Sequence, residues 1–247
     1  MRLRLLALTL GISLTALGMS CSSSDDTSGD TAAPTTTEAA PATTVTTASA
    51  AAGTPVTFTA EVWADNWFSL TVNGEAVGED SVPITTERSF NAETIEFEAT
   101  YPLTLGVVSK DFKETESGLE YIGTDRQQMG DGGLIAQVTD LSTGEVVATT
   151  DTSWRLFVVN RAPLDTACES AADPDATCEH ETVDVPDAWS GTAFDDSGWD
   201  RATGWTADDV APKDGYDQIT WDDSAQLIWG DDLEVVNTIL VRTVVTG

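Results

Sequence analysis

The sequence predicts an all-β fold, an antiparallel β-sandwich or jelly roll, on three observations. From Pro55 onward apolar residues alternate with polar ones. Strand-length segments recur at intervals of about 8–15 residues with Gly, Asn, Asp or Pro between them. No segment of ten or more residues carries a 3.6-residue period with helix caps. Period-two alternation sends successive side chains to opposite sides of a pleated strand, so that one face is buried while the other stays wet.

The elements follow in order. Val56, Phe58, Ala60 and Val62 alternate with Thr57, Thr59 and Glu61, which reads as a half-buried strand. Phe68, Leu70 and Val72 repeat the pattern, and Asn73-Gly74 then supplies a hairpin turn. Ile95, Phe97 and Ala99 make a further strand, and Leu103, Leu105 and Val107 another after Pro102. Leu134, Ala136 and Val138 run into a turn at Ser142-Thr143-Gly144, after which Val146-Val147-Ala148 resumes. Trp154 to Val159 is apolar on both faces, and Ile239, Val241, Thr243 and Val245 close the chain. Arg161 to Trp189 is the longest expected loop. One sandwich domain over 55–247 is the expectation, with long connections.

The first residues have a different character. Met1-Arg2-Leu3-Arg4 is basic, and the apolar run from Leu5 to Leu17 is shorter than the roughly 20 residues of a spanning helix. It suits the core of a secretory signal peptide over 1–20. Leu17-Gly18-Met19-Ser20-Cys21 resembles a bacterial lipobox, whose cysteine becomes the lipidated first residue of the mature protein. That family places Leu three residues before the cysteine, whereas here Leu17 stands four before it. An ordinary signal cut near Ser20 is the competing reading. Lipidation at Cys21 implies a membrane anchor facing outside the cytoplasm, each buried methylene adding about 0.8 kcal/mol.

The cysteine count bears on this choice. There are three cysteines, an awkward number in an oxidising compartment. A lipid on Cys21 leaves Cys168 and Cys178 to pair, and their bridge would stabilise the fold by about 2–3 kcal/mol. Zinc ligation with His180, the single histidine, is the rival, but zinc takes four tight ligands at shorter spacings. A disulfide is expected.

Residues 21–54 are almost entirely Ser, Thr, Ala, Pro, Gly and Asp, with no aromatic residue and Val45 as the one large aliphatic. Such a stretch buries too little apolar surface to offset its ordering entropy. It is expected to be a disordered linker; if flexible, about 32 residues have a typical end-to-end distance of roughly 30 Å.

The formal net charge is −31, and loss of Arg2 and Arg4 with the signal takes it to −33. Such a field repels phosphate backbones, so nucleic acid is excluded as a partner. It serves solubility, in a saline setting for example, or the capture of cations.

Three patches together resemble the galactose-binding-domain-like β-sandwiches found as accessory domains of bacterial glycoside hydrolases. They are Ala64-Asp65-Asn66-Trp67-Phe68-Ser69-Leu70-Thr71-Val72-Asn73-Gly74-Glu75-Ala76-Val77-Gly78, then Thr150-Asp151-Thr152-Ser153-Trp154-Arg155, then Phe194-Asp195-Asp196-Ser197-Gly198-Trp199-Asp200-Arg201-Ala202. Ala225-Gln226-Leu227-Ile228-Trp229 also fits. The resemblance covers about Val56 to Val245 and implies a jelly roll and carbohydrate binding, but it carries over no binding residue. The matching residues have structural roles: positive φ at Asn73-Gly74, an Asx-type turn at Asp195-Asp196-Ser197, and core bulk at Trp154, Trp199 and Trp229.

The segment Ser109–Gly133 is more individual. It gathers Lys110, Lys113 and Arg126 in a chain otherwise swept of positive charge, beside Tyr121 and several amides. Planar rings with fixed hydrogen-bond donors suit sugar or peptide recognition. Lys110, Asp111, Tyr121, Asp125, Arg126 and Gln127 are therefore the expected ligand-binding residues. A long loop whose charges pair with nearby carboxylates is the alternative.

Catalysis finds little support. A nucleophile–histidine arrangement would need His180, beside the expected disulfide, and neither a glycine-rich phosphate loop nor an HExxH motif occurs. No cofactor is expected, save calcium. Asp173, Asp175 and Glu179, or the Asp195-Asp196 turn, offer it oxygen ligands. The expectation is a non-catalytic lipoprotein binding carbohydrate or another extracellular ligand. A structural lipoprotein with a protein partner is the alternative, and a small jelly-roll hydrolase or lyase the third reading.

Overall fold

The computed structural model describes residues 53–85 and 91–247. The expected signal peptide, Cys21 and all but the end of the linker lie outside the described residues. Fifteen strands are described: β1 (Val56–Asp65), β2 (Trp67–Val72), β3 (Glu75–Glu79), β4 (Ala92–Ala99), β5 (Leu103–Lys110), β6 (Leu119–Glu120), β7 (Gln128–Met129), β8 (Gly133–Asp140), β9 (Glu145–Thr149), β10 (Arg155–Arg161), β11 (Glu181–Thr182), β12 (Asp200–Arg201), β13 (Thr203–Trp205), β14 (Leu227–Trp229) and β15 (Val236–Val245). The α-helices are single turns, α1 (Pro174–Thr177) and α2 (Ala207–Val210). The fold is all-β, as the alternation predicts.

The strands form two antiparallel sheets. One has the order β13-β14-β8-β1-β4, with β9 also paired to β8; the other runs β11-β10-β15-β5-β2-β3, with β12 on β10. Strands β6 and β7 form a separate hairpin. Between the sheets lie Phe58, Ala60, Val62 and Phe68 with Leu70, Leu105, Trp154, Trp229, Ile239 and Val241, all buried. These are the inward positions of the alternation, meeting face to face as in a sandwich. The chain changes sheets at Asn66, where β1 ends and β2 begins. The Asn66 amide donates to the Lys110 carbonyl at 2.8 Å, and Asn66 Oδ1 accepts from the Phe112 amide at 2.6 Å.

Asn73 and Gly74 adopt φ of 54° and 89° in the β2–β3 turn, the paired left-handed geometry of a type I′ hairpin. Asn73 Oδ1 also accepts from the Thr104 amide at 2.8 Å, which ties this turn to β5.

Each outer face is covered over part of its area, which pure alternation does not predict. On the first sheet Trp63, Ile135 and Leu227 pack with Val210 beneath Trp205, Tyr216 and Trp221. On the second, Val159 and Leu240 pack beneath Trp189, Phe194 and Trp199. The apolar character of Trp154–Val159 on both faces follows from this second cover. Trp199 is buried, but on the outer face rather than between the sheets.

The Arg161–Trp189 connection contains the bridge between Cys168 and Cys178, whose Cα atoms are 5.4 Å apart. Both cysteines are buried and pack against Leu119, with Ile122 and Met129 alongside. The bridge thus forms a small separate core under the β6–β7 hairpin.

Candidate functional site

Two features at the covered face of the first sheet carry chemistry. The first is a cleft of about 490 Å³ lined by Ile135, Thr152, Gly204, Trp205, Thr206, Ala207, Tyr216, Ala225, Gln226 and Leu227. Its two aromatic residues are held firmly. Trp205 Nε1 donates to the Gly230 carbonyl at 3.1 Å. The Tyr216 ring stands edge-on to Trp63 at 5.7 Å between centroids and lies 5.9 Å from Trp221. Trp221 Nε1 donates back to the Tyr216 carbonyl, and Trp63 Nε1 donates to Asp214, both at 3.1 Å. With the indole N–H groups engaged by backbone, Trp205 and Tyr216, both half-buried, present ring surface to the cleft. Thr152 and Gln226 add hydroxyl and amide groups.

Local sequence builds this wall. Thr206 caps α2: its hydroxyl accepts from the Asp209 amide, and Asp209 Oδ2 accepts from the Thr206 amide in a reciprocal capping box. Ala211 then turns the chain through a left-handed conformation at φ 48°. That turn carries Lys213 and Tyr216 back over β1.

The second feature is a group of acids around the end of β1. Asp65, Asp111 and Glu120 are buried. Lys213 Nζ lies 3.3 Å from Asp65 Oδ2 and 3.2 Å from Asp131 Oδ1. Asp65 Oδ1 and Asp111 Oδ2 are buried without a hydrogen-bond partner among the described residues. A Cβ on Gly130 would collide with the Asp111 carboxylate, so glycine there permits the close approach. Burial pushes the Asp65 carboxyl up to about 7; Lys213 opposes the rise, and Asp131 and Glu120 add to it. Burial likewise lifts Glu120 to about 7, with Asp131 adding and the Gln128 hydrogen bond and Lys213 opposing. Asp111 is held well above the usual carboxylate range by burial, then by Asp65, Glu120 and Asp131. Burial pulls the Lys213 ammonium down, but Asp65 and Asp131 outweigh it and leave its pKa raised. Unpaired buried carboxylates favour protons because ionisation without a partner costs several kcal/mol or more.

The six residues expected to bind ligand occupy varied surroundings. Lys110 ends β5 with its ammonium 5.0 Å from the centre of the Trp67 ring. Asp111 belongs to the buried acid group. The Arg126 guanidinium stacks 3.9 Å over the Tyr121 ring, and Asp125 is exposed beside them. Gln127 Nε2 donates to the carbonyls of Glu169 at 2.6 Å and Ala171 at 2.9 Å, fastening the β6–β7 hairpin to the disulfide loop. Tyr121, Asp125 and Arg126 therefore remain together at the surface, whereas Asp111 and Gln127 serve the interior and the loop contact. Lys113 pairs with Glu116 at 2.7 Å.

Of the acids considered for calcium, Asp173 caps α1 by accepting from the Ala176 amide at 3.3 Å, and Asp175 accepts from the Thr115 hydroxyl. Asp195 accepts from the Ser197 amide at 3.0 Å in the expected Asx turn, whereas Asp196 turns to Arg242 at 2.7 Å. Among the described residues no three His, Cys, Asp or Glu side chains are grouped so as to hold a metal ion.

Sequence reasoning missed Trp205, Tyr216, Asp65, Glu120, Asp131 and Lys213. One signal was available: Trp63 lies on the polar face of an alternating strand, and a large ring there implies that something covers that face. No family model, curated protein or solved structure matches this chain.

Proposed function

We propose that the chain is an extracytoplasmic binding protein, lipid-anchored through Cys21, whose sandwich takes carbohydrate in the cleft between Trp205 and Tyr216. The observation that carries this reading is the cleft itself. It is a shallow depression with two half-buried aromatic surfaces, Trp205 and Tyr216, and hydroxyl and amide groups at its rim. Sugar rings pack their C–H faces on aromatic planes while their hydroxyls take hydrogen bonds, so this combination suits them. An antiparallel sandwich compatible with a jelly roll agrees with the resemblance to galactose-binding-like domains. The stack of exposed Arg126 on half-buried Tyr121 is a second surface of related chemistry, favoured by the guanidinium held 3.9 Å over the ring.

Glycan-array and polysaccharide pull-down binding by the full chain tests the reading. Binding that falls at least tenfold in Trp205→Ala and is unchanged in a Tyr121→Ala, Arg126→Ala double variant supports the cleft. The reverse pattern moves the site to the second surface. A silent glycan screen with one stoichiometric protein partner replaces the carbohydrate reading with an assembly role. Incorporation of labelled palmitate in the wild type, lost in Cys21→Ser, tests the anchor.

A further inference from the structure

We infer that the acids Asp65, Asp111, Glu120 and Asp131, gathered under Lys213, form a proton-held clamp that keeps the segment 207–221 closed over β1. The geometry is unusual for a purely structural ion pair. Four carboxyl groups come from four places along the chain: the end of β1, the residue after β5, strand β6 and the turn after β7. One ammonium, on the segment itself, bridges two of them. Two carboxylate oxygens, Asp65 Oδ1 and Asp111 Oδ2, are buried with no hydrogen-bond partner among the described residues. Such oxygens are stable when one of the group carries a proton and costly when all are ionised, because a single positive charge then faces four negative ones.

The segment 207–221 is the element that carries Lys213 and is tied to the acids by it. It contributes Val210, Tyr216 and Trp221 to the cover of Trp63 and Ile135, and its described helical pieces are single turns. The charged groups facing the cluster also include Glu114, whose charge adds to that on Glu120. No further cation besides Lys213 is in contact with these carboxylates among the described residues.

The sign follows from burial. Closure keeps Asp65 away from water, which raises its proton affinity, while opening hydrates it and returns it towards an ordinary carboxylate. Protons therefore bind the closed form more tightly, and loss of protons favours opening. Tyr216 forms one wall of the cleft, so opening alters that wall. This consequence for ligand access rests on the proposed binding function, whereas the motion itself does not.

Hydrogen exchange of the full chain, without ligand and corrected for the intrinsic pH dependence of exchange, reads the motion directly. The expected result is at least tenfold faster exchange across 207–221 at pH 8.5 than at pH 5.5, with the strands of the sandwich unchanged. Glu120→Gln, neutral at every pH, should abolish most of that difference. Equal protection at both pH values in the wild type overturns the clamp, as does an undiminished difference in a Glu120→Gln protein that folds normally. Restoration of protection at pH 8.5 by calcium alone also overturns it, because a cation would then be the holding ligand. If Glu120→Gln does not fold, carboxyl carbon NMR of the wild type decides: titration of Asp65 and Glu120 near 7 supports the clamp, and titration near 4 ends it. Glycan binding is measured separately, so a failed clamp leaves the cleft reading untouched.

Discussion

Arg242 Nη1 lies 2.7 Å from Asp196 Oδ2, joining β15 of the second sheet to the turn that covers its outer face. The arginine is 2% exposed. Its guanidinium also donates to the carbonyls of Phe194 at 3.0 Å and Gly191 at 3.1 Å. One side chain therefore supplies hydrogen bonds to a loop that has no ladder of its own. Removing the carboxylate leaves a buried charge short of its counter-ion. Asp196→Ala should cost about 2–3 kcal/mol, reduced from the fully buried case because the carboxylate itself is partly exposed. Urea unfolding measures it, and a loss below about 0.5 kcal/mol would show the pair to be incidental.

The bridge between Cys168 and Cys178 does more than close its own loop, because Leu119 and Met129 pack against it. A Cys168→Ala, Cys178→Ala variant should lose about 2–3 kcal/mol on the chain-entropy model. It should also gain protease sensitivity between residues 119 and 129, where Gln127 would lose its ordered partners. Limited proteolysis of wild type and variant compares the two sites directly. Cleavage confined to 168–178 would contradict the packing account.

Glycines here divide by what surrounds them. A Cβ at Gly132 would overlap the indole of Trp229, which is fully buried and cannot yield, whereas one at Gly198 meets nothing. Gly132→Ala should therefore cost about 3 kcal/mol or more by overpacking, and Gly198→Ala should stay within about 0.5 kcal/mol. Thermal unfolding of the pair tests the difference, and similar midpoints would refute it.

The buried acids set an uncommon pH dependence. Asp65 and Glu120 sit at about 7 when folded and Asp111 is also raised, so the folded state holds protons that the unfolded chain releases. Their contribution is complete below about pH 4 and is lost as pH rises through about 7. In the other direction, side-chain hydrogen bonds from Ser142, Ser197, Thr206 and Ser224 lower Asp140, Asp195, Asp209 and Asp222 respectively. Their contribution is present above the ordinary carboxylate range and is lost on further acidification. Stability should peak in mildly acidic solution and decline between pH 5 and 8. Unfolding midpoints at pH 5, 6.5 and 8 measure this, and a rise across that interval would contradict it.

Much of the architecture was legible along the chain. The alternations at Val56–Val62, Phe68–Val72 and Leu103–Val107 are the inner faces of three long strands, and Asn73-Gly74 makes the turn its residue types require. The shorter strands β11 to β14 were not legible, because two or three residues carry no period. The grouping of the expected ligand-binding residues was legible only in part. Tyr121 and Arg126 do meet, but nothing local foretold that Gln127 would be consumed by the carbonyls of Glu169 and Ala171.

Sequence alone determined the β class and the placement of the inner core, because both depend on local periodicity; the pairing of Cys168 with Cys178 was an expectation that the folded chain meets. Tertiary structure alone decided which outer faces are covered, that Lys213 reaches Asp65 across most of the domain, and that Trp205 and Tyr216 share one cleft. Those relationships join residues far apart in the chain, through side chains whose neighbours are set by the folding of whole sheets. A charge or ring acquires its chemistry from that neighbourhood, which no window of sequence contains.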